Sequence, residues 1–174
     1  LLRDYQKEGY QWLRTLYELG FNGILADDMG LGKTLQVIAL LDQLQTDKPS
    51  LVVCPSSLIY NWEDEVHKFS QTLPVTCIVS DANTRKTMIH AICGKHLYVT
   101  SYDYIRRDIE LYDAIEFEYV ILDESQYIKN QKTKNATSVK QLHALHKLAL
   151  SGTPIENSLA ELWSVFDFLM PQYL

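Results

Sequence analysis

Short, almost wholly apolar runs alternate along this chain with stretches in which apolar residues recur every three or four positions. The runs predict strands at Gly23–Ala26, Leu51–Cys54, Val75–Val79, Leu97–Ser101, Tyr119–Asp123 and Lys147–Ser151. Two of them, LVVC and YVILD, are apolar nearly throughout, as befits parallel strands covered on both faces. The stretches between predict helices at Asp4–Glu18, Lys33–Gln45, Leu58–Phe69, Thr84–Ile92, Thr133–His143 and Leu159–Leu169. In the third, Ile59, Trp62, Val66 and Phe69 share one face, and Pro55-Ser56-Ser57 stops the strand and caps the helix. Strand–helix alternation of this kind predicts an α/β fold of three layers, a mainly parallel, doubly wound sheet flanked by helices. Ligands bind such sheets beyond the carboxyl ends of the strands, so the chemistry should sit just after strands.

It does. After the first strand comes Asp27-Asp28-Met29-Gly30-Leu31-Gly32-Lys33-Thr34 and then an apolar helix. This is a phosphate-binding loop of the Walker A kind, with Asp27 at its first Gly position. Gly30 and Gly32 let the backbone turn its N–H groups inward at a helix N-terminus, with Asp28, Met29 and Leu31 completing the loop. Lys33 is expected to reach the β- and γ-phosphates of ATP, and the Thr34 hydroxyl to ligate Mg²⁺.

The fifth strand runs into Asp123-Glu124-Ser125-Gln126. Carboxylates at the end of a buried strand are costly without a partner, and a divalent ion supplies one. Asp123 is expected to hold the Mg²⁺ shell and Glu124 to orient and deprotonate an attacking water, which favours hydrolysis over transfer to a small acceptor.

In order, ILADDMGLGKTLQ, LVVCPSSLIYNWEDEVHKF, YVTSYDYIRRD, VILDESQYIKN and LALSGTPIENSLAELWSVFDFLMP resemble motifs I, Ia, Ib, II and III of the Swi/Snf helicase-like ATPases of helicase superfamily two, bacterial members above all. The opening LRDYQKEGYQWL resembles the segment carrying their adenine-reading Gln. The resemblance covers nearly the whole chain. It implies that residues 1–174 form a single RecA-like ATP-binding lobe, with Gln6 reading adenine. It further implies that Gln126, Ser151 and Thr153 couple the nucleotide state to a second RecA-like lobe of the same polypeptide. Pro55, Ser56, Ser101 and Tyr102 would lie along the nucleic acid. The implied partner is double-stranded DNA, travelled without strand separation, with DNA-bound proteins or RNA polymerase as what is displaced. Gln126 stands where many members have His, which alters that coupling in detail. Motifs IV to VI, with their arginine fingers, lie outside these residues, so the isolated lobe is expected to be nearly inactive. The rival readings are a helicase of another superfamily-two branch, a P-loop kinase or small NTPase, and a nucleotide-binding scaffold without turnover.

Composition changes this picture in one respect. Sixteen basic against 22 acidic residues leave a net charge of −6, where phosphate neutralisation usually leaves a basic footprint. Contact through backbone N–H groups, hydroxyls and helix N-termini would meet that difficulty. Lys129, Lys132, Lys134 and Lys140 form the nearest approach to a basic run. Cys54, Cys77 and Cys93 are dispersed and read as reduced core thiols, not as a metal site. His143 and His146, at helical spacing, read as part of a surface helix, and the sequon at Asn135 as a chance match. No apolar run is long enough for a membrane helix. With no leader sequence either, the expectation is a cytoplasmic, nucleoid or nuclear protein whose ends here are cuts in a longer chain.

Overall fold

In a computed structural model of the chain, residues 2–20, 22–26, 32–130, 133–152 and 159–171 are described. Six strands, β1 (Gly23–Ala26), β2 (Ser50–Cys54), β3 (Val75–Cys77), β4 (Leu97–Ser101), β5 (Glu116–Leu122) and β6 (His143–Ser151), form one sheet in the order β1-β6-β5-β2-β4-β3. Every pairing is parallel, as crossover connections through helices require. The helices are α1 (Asp4–Leu19), α2 (Lys33–Gln43), α3 (Ile59–Phe69), α4 (Ala82–His90), α5 (Tyr102–Asp108), α6 (Lys134–Val139) and α7 (Leu159–Leu169). This is the three-layer, RecA-like α/β architecture expected from the sequence.

Each face of the sheet carries its own core, and the alternation of side chains along the strands assigns them. Val52 and Cys54 of β2, Tyr119 and Ile121 of β5, and Leu148 and Leu150 of β6 pack with Leu13, Val37, Leu41, Trp62 and Val66 of α1, α2 and α3. Leu51, Val53, Val120, Leu122 and Ala149 pack with Ile89, Ile105, Ala136, Val165 and Phe168 from α4, α5, α6 and α7. Strands buried on both faces have no polar face to show, which is why LVVC of β2 and YVIL of β5 read as unbroken apolar runs.

Three expectations are corrected. His143 and His146 lie in β6, not on a helix: α6 ends at Val139, and β6 gains backbone partners from Glu116↔His143 onward by pairing with β5. His146 is stacked against the rings of Tyr17 and Tyr119, at centroid distances of 4.8 and 5.1 Å. A helix not expected from the sequence, α5, begins directly after β4; the Ser101 hydroxyl caps it by accepting the Tyr104 N–H at 3.1 Å. The third strand closes at Cys77, two residues short of the expected Val79.

Candidate active site

The strand order brings the chemistry together. β6 lies between β1 and β5, with Ala26 opposite Ser151 and Leu122 opposite Ala149, so the carboxyl ends of all three stand in a row. Beyond them lie α2 with Lys33, the turn Ser151-Gly152, and Asp123-Glu124.

On the phosphate side, Gly32 precedes α2 with φ 126°, a conformation that favours glycine. Lys33 begins that helix and is only 5% exposed. A β-carbon on Gly152 would lie 3.5 Å from Lys33 Nζ and 3.5 Å from Glu124 Oε1. The ammonium of the first loop, the carboxylate of the second and the backbone after β6 therefore converge on one point.

On the acidic side, the Asp123 carboxylate is held from two directions. The Trp62 indole N–H donates to Oδ2 at 2.9 Å and the Glu124 backbone N–H to Oδ1 at 2.9 Å. Burial pushes the Asp123 carboxyl above its ordinary range; the Trp62 bond opposes this and the neighbouring Glu124 charge adds to it. The Asp123 backbone is fixed as well, its N–H donating to the Val53 carbonyl and its carbonyl accepting the Tyr102 hydroxyl at 2.7 Å. Glu124 takes a left-handed conformation, φ 50° and ψ 57°, one of two such non-glycine residues among those described. Strain of this kind persists where the surroundings over-determine it, and here it turns the carboxylate toward Lys33 and Gly152. The Gln126 side-chain N–H donates to Glu124 Oε2 at 2.5 Å, while its own Oε1 is buried with no partner among the described residues.

Lys33, Thr34, Leu58, Asn61, Trp62, Glu65, Asp123 and Glu124 line a cleft of about 190 Å³. Among the described residues no three His, Cys, Asp or Glu side chains cluster as a metal cage. A hydroxyl and one carboxylate suit a hard cation that takes its remaining oxygens from phosphate and water.

The other expected site residues divide. Gln6 is 5% exposed, its Oε1 accepting the Arg3 backbone N–H at 2.8 Å, and it lies against Gly32. Ser151 is buried at the end of β6. Asp28, Met29, Gly30, Leu31 and Thr153 fall outside the described residues, as does Lys132. Of the four residues expected along nucleic acid, Ser56 is exposed and Pro55 buried. Ser101 and Tyr102 are each 2% exposed, with hydroxyls committed to the α5 cap and the Asp123 carbonyl. Their side chains thus face the protein, not the surface. Sequence reading placed Trp62 on a core face but gave no sign of its bond to Asp123, and it passed over Gly152. The Gly within Ser-Gly-Thr-Pro, directly after a strand, was the available signal for the latter.

Across residues 5–174 the chain matches the SNF2-related domain. It is 43% identical over 185 residues to the TATA-binding protein-associated factor BTAF1 of Arabidopsis thaliana, which covers 99% of this chain and 9% of that protein. To an uncharacterized ATP-dependent helicase of Mycoplasma genitalium it is 42% identical over 178 residues, covering 99% and 17%. Eukaryotic and bacterial relatives thus match it about equally, and bacterial members are not singled out. Among solved structures, the Sulfolobus solfataricus SWI2/SNF2 ATPase core in complex with dsDNA superposes with a TM-score of 0.88 at 40% identity, over 99% of this chain and 36% of that one. The chain therefore spans a small part of the relatives it matches. Its motifs, sheet order and relatives agree: the chain belongs to the SNF2-related domain family of Swi/Snf-type, helicase-like ATPases.

Proposed function

We propose that residues 1–174 are the ATP-binding first motor lobe of a DNA-dependent ATPase that moves along double-stranded DNA and remodels protein–DNA complexes. The motor would be completed by a second RecA-like lobe of the same polypeptide. The reading rests above all on the convergence of Lys33 Nζ and Glu124 Oε1 at the Gly152 backbone, each 3.5 Å from where a β-carbon there would stand. Bound Mg·ATP supplies a phosphoryl group whose transfer to water needs charge neutralisation and one oriented water. Lys33 would neutralise phosphate oxygens, and Thr34 and Asp123 would hold the Mg²⁺. Glu124 would orient the water and accept its proton at the carboxylate that the Gln126 N–H steadies. Gln6, against Gly32, would meet the nucleotide base, and the loop from Asp28 to Leu31 its phosphates. Gln126, Ser151 and Thr153 would report the nucleotide state to the second lobe.

Duplex DNA as the track is supported by the archaeal structural relative, a SWI2/SNF2 ATPase core in complex with dsDNA. Proteins bound to DNA as the displaced load are supported by the TATA-binding protein-associated relatives. RNA polymerase is a further load of the same class. Among described residues no helix is long and apolar enough to cross a membrane, and the protein would work wherever its DNA lies, nucleoid or nucleus. An arginine finger is worth about 10³–10⁵ in rate, so the lobe alone should bind ATP and hydrolyse it at a trace rate. ATPase of the full-length protein with duplex DNA, single-stranded DNA and RNA tests the reading. Stimulation by the duplex above the others is the expected result, and stronger stimulation by RNA would select another helicase branch.

A further inference from the structure

Two aromatic residues from different strand-end turns hold Asp123. β2 lies between β5 and β4, with Cys54 opposite Ser101, so the turns that follow β2 and β4 are neighbours. The turn after β2 passes through Ser56 into α3, which carries Trp62; the turn after β4 becomes α5, whose first residue is Tyr102. Trp62 is 2% exposed, and its N–H donates to the Asp123 side chain at 2.9 Å. Tyr102 is equally buried, and its hydroxyl donates to the Asp123 main-chain carbonyl at 2.7 Å. The outer face of the Tyr102 ring carries the ring of Tyr127, at 5.3 Å and 9° from parallel, and Tyr127 is 48% exposed.

Resting on the motor reading above, we propose that Trp62 and Tyr102 are positioning residues that tie the two strand-end turns to the catalytic carboxylates. Trp62 and the Glu124 N–H each hold one Asp123 oxygen, so Trp62 sets how the carboxylate is turned toward the cation, and Tyr102 fixes the backbone from which Asp123 and the strained Glu124 project. A shift in either turn as DNA binds would move the acidic pair through a single hydrogen bond. In both residues the ring fills the core and one polar hydrogen does the positioning; Tyr102→Phe removes that hydrogen alone, whereas Trp62→Phe also gives up part of the indole, so its role is read from Mg²⁺ dependence and not from stability.

The test uses the full-length protein with Trp62→Phe and Tyr102→Phe. Removing an outer-shell partner of a metal ligand commonly costs about 10–100-fold in metal affinity or activity. For Trp62→Phe, the Mg²⁺ concentration that half-saturates ADP binding, read by calorimetry, should rise by about 10-fold. For Tyr102→Phe, kcat with duplex DNA should fall by about 10-fold with the KM for ATP unchanged. Wild-type values in both readouts would overturn the proposal, and so would failure of both variants to fold, which would assign the two side chains to the core alone. If wild-type protein shows no stimulation by DNA, it is the motor reading that falls, and the Mg²⁺ titration of Trp62→Phe still decides the role of Trp62.

Discussion

The side-chain amide of Gln6 lies where a β-carbon on Gly32 would be, with 2.3 Å from that position to Nε2. α1 and the start of α2 thus interlock at a residue whose φ of 126° already demands glycine. Gly32→Ala should strain the backbone by about 1–3 kcal/mol and displace Gln6. The expected outcome is loss of ADP binding by calorimetry together with a lower unfolding midpoint. Gln6→Ala leaves the backbone free, and it should narrow the preference for ATP over GTP in the same measurement, because an amide can donate to and accept from adenine at once.

Away from the cleft, Arg85 and Asp108 form a buried two-bond ion pair at 2.7 and 3.0 Å, joining α4 to the end of α5. The same guanidinium donates to the Ser80 carbonyl at 2.6 Å and lies 4.4 Å from the Tyr104 ring centroid. Asp108→Ala leaves that charge buried without its carboxylate and should cost about 3–5 kcal/mol in denaturant unfolding. Replacing both partners with apolar residues should cost less than the single change, since neither charge is then stranded.

The thiols should differ sharply in reactivity. Burial pushes the Cys77 thiol up to about 12, helped by its bond to Glu63, and lifts that of Cys54 well above its ordinary value. Cys93 is exposed. The thiolate is the reactive species. Alkylation of the folded protein, mapped by mass spectrometry, should therefore label Cys93 first, with Cys54 and Cys77 labelled only on unfolding.

Acid should weaken the fold through two histidines. Burial lowers the pKa of His146, which Glu118 partly offsets, and burial also lowers that of His96. Below the ordinary histidine value of 6.5 the unfolded chain binds protons that the folded chain refuses. Their contribution is thus whole above that pH and is lost as pH falls from it through the lower folded values. His146→Phe keeps a ring between Tyr17 and Tyr119 and removes a buried Nδ1 that has no partner among the described residues. It should flatten the acid side of a stability–pH curve measured by denaturant unfolding.

Six strands, the helix that starts at Lys33 and the acidic turn after β5 were legible because each rests on a local cause: apolar runs, helical spacing of apolar residues, paired carboxylates at a strand end. What was not legible depends on neighbours distant in sequence. β6 begins at His143 because β5 offers it backbone partners, and nothing within HALHKL says so. The family resemblance, not the residues themselves, puts the Ser101-Tyr102 turn along nucleic acid. Only the fold shows Tyr102 turned inward onto Asp123, and Trp62 reaching the same residue across 61 positions of sequence.

On the proposed function, Lys33, Asp123, Glu124 and the backbone at Gly152 make one hydrolytic nucleotide site. ATP binding and duplex-stimulated turnover of the full-length protein, compared between wild type and Glu124→Gln, test it most directly. Loss of a positioned general base typically costs about 10²–10⁴ in rate. Turnover lower by at least about 100-fold with ATP binding retained is the expected result. Undiminished turnover by Glu124→Gln would contradict it.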